Sequence, residues 1–498
     1  MASSVSDSHR DDEHDLLLHQ HDLDLVEPPN RPDGRDHSSR DLGLLSTIFL
    51  ITNRMIGTAI FATPSSIAAS MGSPGAVLAL WLVGLLLSYC GMLIWIELGW
   101  MMPRSGGEKV YLEAAYPRPP MLVTTVFAVH VIVLGFTGIG SVVVAENLLL
   151  AVQGSATDGV KRGLAMAVLG GIAAIHICSR SWGVRIMNIL ASAKILVLVL
   201  IIFSGLRALR GDLPQIPSPG SSFKHPFAGS PTTISSYTTA LFKILATYQG
   251  WTNAAYVLDE VKDPRRTLKV AGIVGVGTVG LLYLLTNIAY FIVATPEEIS
   301  QTGVTVVALL IGKVFGETML WLTAILAALS SLGNLMTASF TMSRVVRQFA
   351  QEGLLPGATL FASTAASGSP TWAFALVFLS STVMILFVPF GEVYSFNIDV
   401  GQYAIALINL LVTVGLFIIR KRTAQRKTFR AWNVAVYLFL ATQVFLLVTP
   451  FTPATWGGGK APAVPLWLSP IVAILVFVGA SVYWYVSWVV LRRRQGLQ

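Results

Sequence analysis

Long apolar runs dominate this chain, and each is long enough to cross a lipid bilayer. A helix needs about 20 residues to cross the ~30 Å hydrocarbon core. Of the 498 residues 54% are hydrophobic and only 12% are charged, whereas soluble domains carry about 25% charged residues. The runs therefore predict an all-α membrane protein with twelve transmembrane helices. The predicted spans are residues 44–69, 75–100, 121–152, 162–178, 184–206, 235–258, 270–294, 317–342, 371–388, 393–419, 429–449 and 466–491.

Basic residues sit at the ends of these runs, which indicates how the chain is oriented. If both termini are cytoplasmic, the cytoplasmic segments carry 24 Lys and Arg and the outer loops carry 7. Such an excess on the inside is the usual topology signal. The formal charge of +8 is thereby explained without a nucleic-acid partner, and the expected surroundings are membrane lipid.

Composition also divides the chain into parts. The N-terminal residues are polar and rich in Asp and His, which predicts a disordered cytoplasmic tail. Pro, Gly and Ser cluster after span five and predict a long external loop between two units. The predicted parts are the tail 1–40, a first five-helix repeat 41–210, the external loop 211–234, a second five-helix repeat 235–420, and residues 421–498 with helices 11 and 12 and a short C-terminal tail.

Metal and redox chemistry find no support in the sequence. The only cysteines are Cys90 and Cys178, and both fall inside apolar runs. This excludes an extracellular disulfide framework and a cysteine-based metal site. The histidines of the tail are irregularly spaced and lack companion ligands. We therefore predict no metal, no cofactor and no enzymatic reaction.

Two short stretches interrupt spans one and six with glycine and polar residues at corresponding places in the two halves. Unwound backbone at membrane depth is tolerated only where it lines a cavity, so paired breaks point to the binding site of a secondary transporter. A kink that serves helix packing alone is the alternative. The residues concerned are Met55, Ile56, Gly57, Thr58, Ala59 and Ile60, and Ala246, Thr247, Tyr248, Gln249, Gly250 and Trp251.

Broken helices suit a zwitterionic amino acid as substrate. The second half of span one begins with free N–H groups at the positive end of its dipole, which suits a carboxylate. The first half ends in carbonyls near Met55 and Ile56, and these would accept the ammonium, helped by the carbonyls around Thr247 and Tyr248. Such contacts recognise only the carboxylate and the ammonium, which all amino acids share.

Motifs around both breaks carry a resemblance to a known group. They are residues 53–61, 97–99 with 103–108, 248–251 with 259–266, and 331–344 with 352–356. In this order they resemble the L-type amino acid transporter branch of the amino acid-polyamine-organocation (APC) superfamily, closest to fungal high-affinity methionine permeases. The resemblance implies a LeuT-type 5+5 inverted repeat with broken helices 1 and 6, alternating access, and backbone recognition at 55–60 and 246–251.

Three residues at the breaks depart from the pattern of these relatives. Ala59 stands where they usually have glycine, Ala246 where they have an aromatic gate, and Gln249 where they have a second glycine. The size of the pocket and the way it closes are therefore left open. Gln249 adds an amide that could bond the substrate or cap the half-helix.

Lys194 matches the fifth-helix lysine that such relatives place where sodium-coupled cousins bind an ion. The resemblance implies that its ammonium replaces the cation, which argues against sodium coupling. Burial disfavours the charged form of lysine, so Lys194 could instead carry the coupled proton. A permanently charged structural strut is the alternative.

Other charged residues within the spans invite a functional question. Arg54 could pair with Glu97 or Glu260 as an inner gate, or it could extend to the lipid interface. Glu146 could transfer protons or bond a neighbouring helix. We assign Lys243 no role.

These features together predict a monomeric permease that imports neutral L-amino acids, with methionine favoured and a proton as co-substrate. The plasma membrane is the expected location, and the vacuolar membrane stays open. The animal relatives hold a partner through a cysteine between spans three and four, and residues 153–161 contain none, so no disulfide-linked partner chain is expected. The alternatives are a proton-independent exchanger and an amino acid receptor that does not transport.

Overall fold

The structure is a computed structural model that describes ten stretches of the chain. They are residues 40–134, 138–152, 157–211, 213–302, 306–355, 357–365, 368–387, 392–423, 429–451 and 467–491. The predicted N-terminal tail, apart from Arg40, and residues 492–498 lie outside them. The described part is built of helices, with one isolated parallel bridge between Leu42 and Val261.

Eighteen α-helices follow one another in the described part of the chain. They are α1 (Leu44–Met55), α2 (Ala59–Met71), α3 (Pro74–Met101), α4 (Glu108–Ala115), α5 (Leu122–Leu134), α6 (Gly138–Ala151), α7 (Asp158–Cys178), α8 (Arg180–Ala208), α9 (Ile234–Thr247), α10 (Pro264–Val293), α11 (Pro296–Gln301), α12 (Val306–Phe315), α13 (Leu320–Gln351), α14 (Ala358–Ala362), α15 (Thr371–Phe387), α16 (Glu392–Arg422), α17 (Asn433–Val448) and α18 (Leu468–Trp484). Short 3₁₀ segments cover Ser221–Phe223, Trp251–Glu260, Glu317–Met319 and Thr449–Phe451, and a π-helical turn covers Tyr485–Leu491.

Nine of the predicted spans appear as elements long and apolar enough to cross a membrane. Eight are single helices, namely α3, α7, α8, α10, α13, α16, α17 and α18, and the ninth is the pair α1 and α2, bent by 43°. The other three predicted spans contain shorter helices: α5 with α6, α9 with the 3₁₀ segment that follows it, and α15. The chain is therefore a multi-pass membrane protein.

Local sequence sets where the first spans end and begin. Helix α2 ends at Gly72, which has the left-handed φ of 59° that favours glycine at a helix C-terminus. Helix α3 then starts with Pro74 in its first turn. Proline is tolerated there because the N–H groups of a first turn have no acceptor within the helix. A Cβ on Gly72 would lie 2.6 Å from the carbonyl oxygen of Gly229, so glycine is also required for this contact with the segment between α8 and α9.

Helix α1 lies at the centre of the packing. It contacts α8, α10, α13 and the 3₁₀ segment Trp251–Glu260. Small residues allow the surrounding helices to approach closely, as in other membrane bundles; for example, a Cβ on Gly205 of α8 would lie 2.5 Å from the Cβ of Ala289 on α10. The break at the end of α1 is thereby surrounded by four other elements.

Candidate functional site

Both predicted helix breaks are present, and they contact each other. Helix α1 ends at Met55 and is followed by extended backbone at Ile56, with φ −75° and ψ 96°. Helix α9 ends at Thr247, and Gly250 has φ 119°, a conformation that L-residues rarely adopt. A Cβ on Gly250 would lie 2.9 Å from the carbonyl carbon and oxygen of Arg54. The two interruptions therefore meet backbone to backbone.

Residues at the breaks keep partial exposure in the middle of a buried region. Ile56, Ile60, Thr247 and Tyr248 are buried. Their neighbours in the breaks are half-buried, and we call the partly exposed region that these residues border the hollow. The half-buried residues are Gly57, Thr58, Ala59, Ala246, Gln249 and Gly250.

Each break begins a new helical segment whose first N–H groups have no acceptor within that helix. The positive ends of both segments lie at the hollow and favour an anion there. The groups concerned are the N–H groups of Thr58, Ala59 and Ile60 in α2 and of Trp251 and Thr252 in the 3₁₀ segment. The arrangement can hold a carboxylate without a basic side chain.

Lys194 reaches the first break from α8. Its Nζ donates hydrogen bonds to the carbonyl oxygens of Asn53, at 2.9 Å, and Ile56, at 2.6 Å. The side chain is 3% exposed. A Cβ on Gly333 of α13 would lie 2.8 Å from Lys194 Cε and 2.5 Å from Asn53 Oδ1, so glycine at position 333 makes room for the lysine. The ammonium thus lies against carbonyls of the broken helix.

Other side chains occupy the remaining carbonyls of the first break. The bonds are Asn334 Nδ2 to Arg54 O at 2.7 Å, Tyr283 OH to Met55 O at 2.9 Å, and Ser330 Oγ to Gly57 O at 3.0 Å. The carbonyls of Met55 and Ile56, which we expected to accept the ammonium, each already accept a bond in this conformation, from Tyr283 and Lys194.

The side chains of Tyr248 and Trp251 are packed against other aromatic rings. Tyr248 is buried, donates to Trp81 O at 3.3 Å, and has its ring centroid 5.3 Å from that of Tyr283. Trp251 packs edge-on against Trp95, with ring centroids 5.1 Å apart. Both side chains are therefore held by packing and are closed to solvent.

Arg54 does not make the ion pairs expected of an inner gate. Its guanidinium donates to Asn334 Oδ1 at 2.6 Å, and the same amide returns a bond to Arg54 O. Glu97 is held by Arg420 at 2.7 and 2.6 Å, and Glu260 by Arg344. The gate prediction is corrected on this point: both carboxylates have nearer cations, and Arg54, in the last turn of α1, faces α13.

Glu260 belongs to an ionic group that we call the Glu260 cluster, formed by the buried or nearly buried Glu260, Arg344 and Arg180 and by the exposed Asp41. Glu260 lies 2.9 Å from Arg344 and 3.1 Å from Arg180, and Arg180 lies 3.5 Å from Asp41. The backbone adds a bond from Leu42 N to Glu260 O at 3.0 Å. The cluster joins the start of α1 and of α8 to the 3₁₀ segment and to α13.

We expect Arg344→Ala to destabilise the purified protein strongly. The Arg344 side chain is 7% exposed and that of Glu260 is 12% exposed, and removing one partner of a buried pair costs about 3–5 kcal/mol. The apparent melting temperature in detergent measures the loss. Arg422→Ala, which removes a bond to Ala114 O from an exposed arginine, is the control. Equal shifts for the two variants would contradict the expectation.

Glu146 lies outside this site. Its carboxylate is 3.9 Å from Lys161 Nζ, and its side chain is 45% exposed. Exposed pairs of this kind contribute at most about 1 kcal/mol. The structure thus gives Glu146 a contact with α7.

Sequence reasoning missed Ser330, Asn334 and Tyr283, which bind the backbone of the first break. A signal was present for the first two. Ser330, Asn334 and Thr337 follow one another at helical spacing and share one face of α13. Thr337 completes that face by accepting a bond from Asn53 Nδ2 at 2.9 Å. A polar face on an apolar span predicts a contact with another polar group.

Among the described residues, no group of three or more His, Cys, Asp or Glu is arranged to hold a metal ion. Cys90 and Cys178 are free thiols. The polar groups at the breaks are backbone amides, side-chain hydroxyls and amides, the Arg54 guanidinium and the Lys194 ammonium.

Comparison with known proteins agrees with this geometry. The high-affinity methionine permease of Saccharomyces cerevisiae is 32% identical over 469 residues, which are 93% of this chain and 81% of the relative. The low-affinity methionine permease of the same yeast is 29% identical, over 91% and 83%. The human b(0,+)-type amino acid transporter 1 is 28% identical, over 84% of each chain.

The motif resemblance is thereby confirmed. The relatives are transport proteins and not enzymes. The family described as amino acid permease, part of the APC superfamily, matches residues 42–481. This chain therefore belongs to the amino acid permease family.

Proposed function

We propose that the chain is a secondary active transporter that imports neutral L-amino acids, methionine first, together with a proton. The observation that carries the proposal is the contact between the two helix breaks, where Gly250 lies against the Arg54 backbone beside a half-buried hollow. The preference for methionine is supported by the two yeast relatives, which are named methionine permeases.

The proposed architecture is twelve spans with a LeuT-type 5+5 inverted repeat. Each half of the chain begins with a broken element: the first half with α1 and α2, and the second half with α9 and the 3₁₀ segment. Each half also has short helices between its second and third spans: α4 in the first half, and α11 and α12 in the second. This correspondence supports spans 1–5 and 6–10 as repeats, with spans 11 and 12 added.

The substrate is proposed to bind through its two ionic groups. Its carboxylate meets the N–H groups of Thr58, Ala59 and Ile60 at the positive end of α2. Because donors of the protein already occupy the Met55 and Ile56 carbonyls, the ammonium is assigned to the carbonyls of Thr247 and Tyr248, the last of α9.

The side chain of the substrate is proposed to lie against Ala59 and Ala246. These small residues leave space for an unbranched apolar chain. Gln249 is half-buried at the same hollow, where its amide is close enough to contribute to the choice of substrate.

Alternating access is proposed to involve the Glu260 cluster. With both termini cytoplasmic, the start of α1 faces the cytoplasm and the cluster closes that side. Opening toward the cytoplasm then requires Glu260 to part from Arg344 and Arg180. The proposed setting is a monomer in the lipid of the plasma membrane, with the vacuolar membrane as the alternative.

Lys194 is assigned the place of a coupling cation. Its amine is held against the end of α1 by carbonyl acceptors at 2.9 and 2.6 Å. We propose that Lys194 acts there as a strut and makes a sodium ion unnecessary.

We expect acid-stimulated uptake of radiolabelled methionine when the chain is expressed in a permease-deficient cell. Uptake at acidic external pH should exceed uptake at neutral pH, and large neutral amino acids should compete better than lysine or glutamate, because the hollow offers no free charged side chain among the described residues. A cell carrying an empty vector is the control. Equal uptake at both pH values would contradict proton coupling.

Two alternatives give different results. An exchanger would show methionine countertransport in reconstituted vesicles with no effect of a pH gradient. A receptor would bind methionine without flux in either assay.

A further inference from the structure

Glu108 is a buried carboxyl that the proposed transport site does not use. It is the first residue of α4 and is 4% exposed. Trp95, Thr252 and Tyr256 turn their polar groups toward it, yet none of the described residues donates a hydrogen bond to its Oε2. An ionised carboxylate is costly in such a place, whereas a protonated one is tolerated.

The start of α4 is fixed to the 3₁₀ segment that begins at the second break. Gly107 N donates to Ala255 O at 3.1 Å. A Cβ on Gly107 would lie 2.9 Å from the Tyr256 ring. Tyr256 also lies near Arg54 of the first break. Glu108 is therefore packed on the segment whose N-terminus, at Trp251 and Thr252, faces the proposed substrate hollow.

Burial raises the pKa of the Glu108 carboxyl, and bonding toward Tyr256 offsets part of that rise. The charged groups on the surrounding elements have partners of their own. They are Lys109 with Glu113 and Glu352, Glu97 with Arg420, Asp259 with Ser105, Glu260 with Arg344, Arg54 with Asn334, and Arg422 with Ala114 O. The neutral titratable groups on these elements include Tyr111, Tyr256 and His130, whose ring stacks on Phe477. Each of these cations is bound to another group and not to Glu108.

We propose that Glu108 binds the coupled proton, an inference that rests on the proposed proton-driven transport. While α4 stays packed on the 3₁₀ segment, the protonated carboxyl is the favoured form. Release of the proton from oxygen to water requires this contact to open. Because the same 3₁₀ segment supplies N–H groups to the substrate hollow, its movement links proton release to release of the amino acid.

The test uses the full chain in phosphatidylcholine and phosphatidylethanolamine vesicles with radiolabelled methionine. Uptake driven by an acidic exterior is compared with counterflow at equal pH on both sides. We expect Glu108→Gln, a neutral mimic of the protonated form, to lose stimulation by the gradient while keeping at least half of the wild-type counterflow. Glu113→Gln, on the same helix, half-exposed and paired with Lys109, should keep both. Gradient stimulation that persists in Glu108→Gln overturns the inference.

A second variant keeps the test decisive if Glu108→Gln does not fold. Tyr256→Phe keeps the ring against Gly107 and removes the hydroxyl that stabilises the carboxylate. The pKa of Glu108 should then rise, and the pH at which uptake is half-maximal should move upward; an unchanged midpoint overturns the inference. Wild-type flux without gradient stimulation also overturns it, whereas absence of any wild-type methionine flux refutes the proposed function itself.

Discussion

Replacing Lys194 by alanine is expected to reduce methionine uptake by more than about thirtyfold. The ammonium donates to Asn53 O and Ile56 O on either side of the end of α1. Without it, two buried carbonyls lose a donor at about 1–3 kcal/mol each. The end of α1 then loses the bonds that keep its backbone in the non-helical conformation. The N–H groups at the start of α2 are in turn no longer held in position for the substrate carboxylate. Uptake in permease-deficient cells, normalised to protein at the cell surface, measures the effect.

Lys243→Ala is the matched control for this change. Lys243 is also a lysine within a predicted span, but only its backbone carbonyl has a described role, as acceptor from Thr247 Oγ1 at 2.8 Å. Alanine keeps that carbonyl, so uptake should stay near wild type. Lys194→Arg should fail as Lys194→Ala does, because Gly333 packs close to Lys194 Cε and leaves little space for a guanidinium. Uptake by Lys194→Ala above half of wild type would contradict the assigned role.

The sequence predicted the two helix breaks because they depend on local features, whereas the place of Lys194 was implied by the family resemblance. Glycine with polar neighbours stops a helix inside an apolar run, and an intramembrane lysine needs an acceptor. The structure has both breaks within the stretches that the sequence indicated, with α1 ending at Met55 and α9 at Thr247.

The pairing of the charged residues could not be predicted from the sequence. In the sequence alone, several oppositely charged residues could pair with each of Arg54, Glu97 and Glu260. Which pair forms depends on which helices become neighbours in the fold. Arg420 lies 323 residues beyond Glu97 and reaches it only because α16 packs near the end of α3. The polar face of α13 could be recognised from the sequence. The groups that it bonds, the carbonyls of the first break, could not, because they are set by tertiary packing.

Replacing Gly250 by alanine is expected to abolish methionine binding and uptake. The φ of 119° is a glycine conformation that costs about 1–3 kcal/mol for another residue. The added Cβ would also lie 2.9 Å from the Arg54 carbonyl carbon and oxygen, and backbone atoms cannot move aside as a side chain can. The two breaks must therefore separate, and the hollow between them loses its shape. Methionine binding to the purified protein and uptake in cells both report the loss.

Alanine substitutions at two other glycines should impair transport less, which gives an expected order of effects. A Cβ on Gly57 would lie 3.3 Å from Asn334 Nδ2, a side-chain atom that can shift, so Gly57→Ala should be milder than Gly250→Ala. A Cβ on Gly171, in α7, meets no described atom within 4 Å, and alanine favours a helix interior by about 1 kcal/mol. Gly171→Ala should therefore transport like wild type. If Gly250→Ala instead matches Gly171→Ala, the contact between the two breaks is not needed for transport, and the proposed substrate site is wrong.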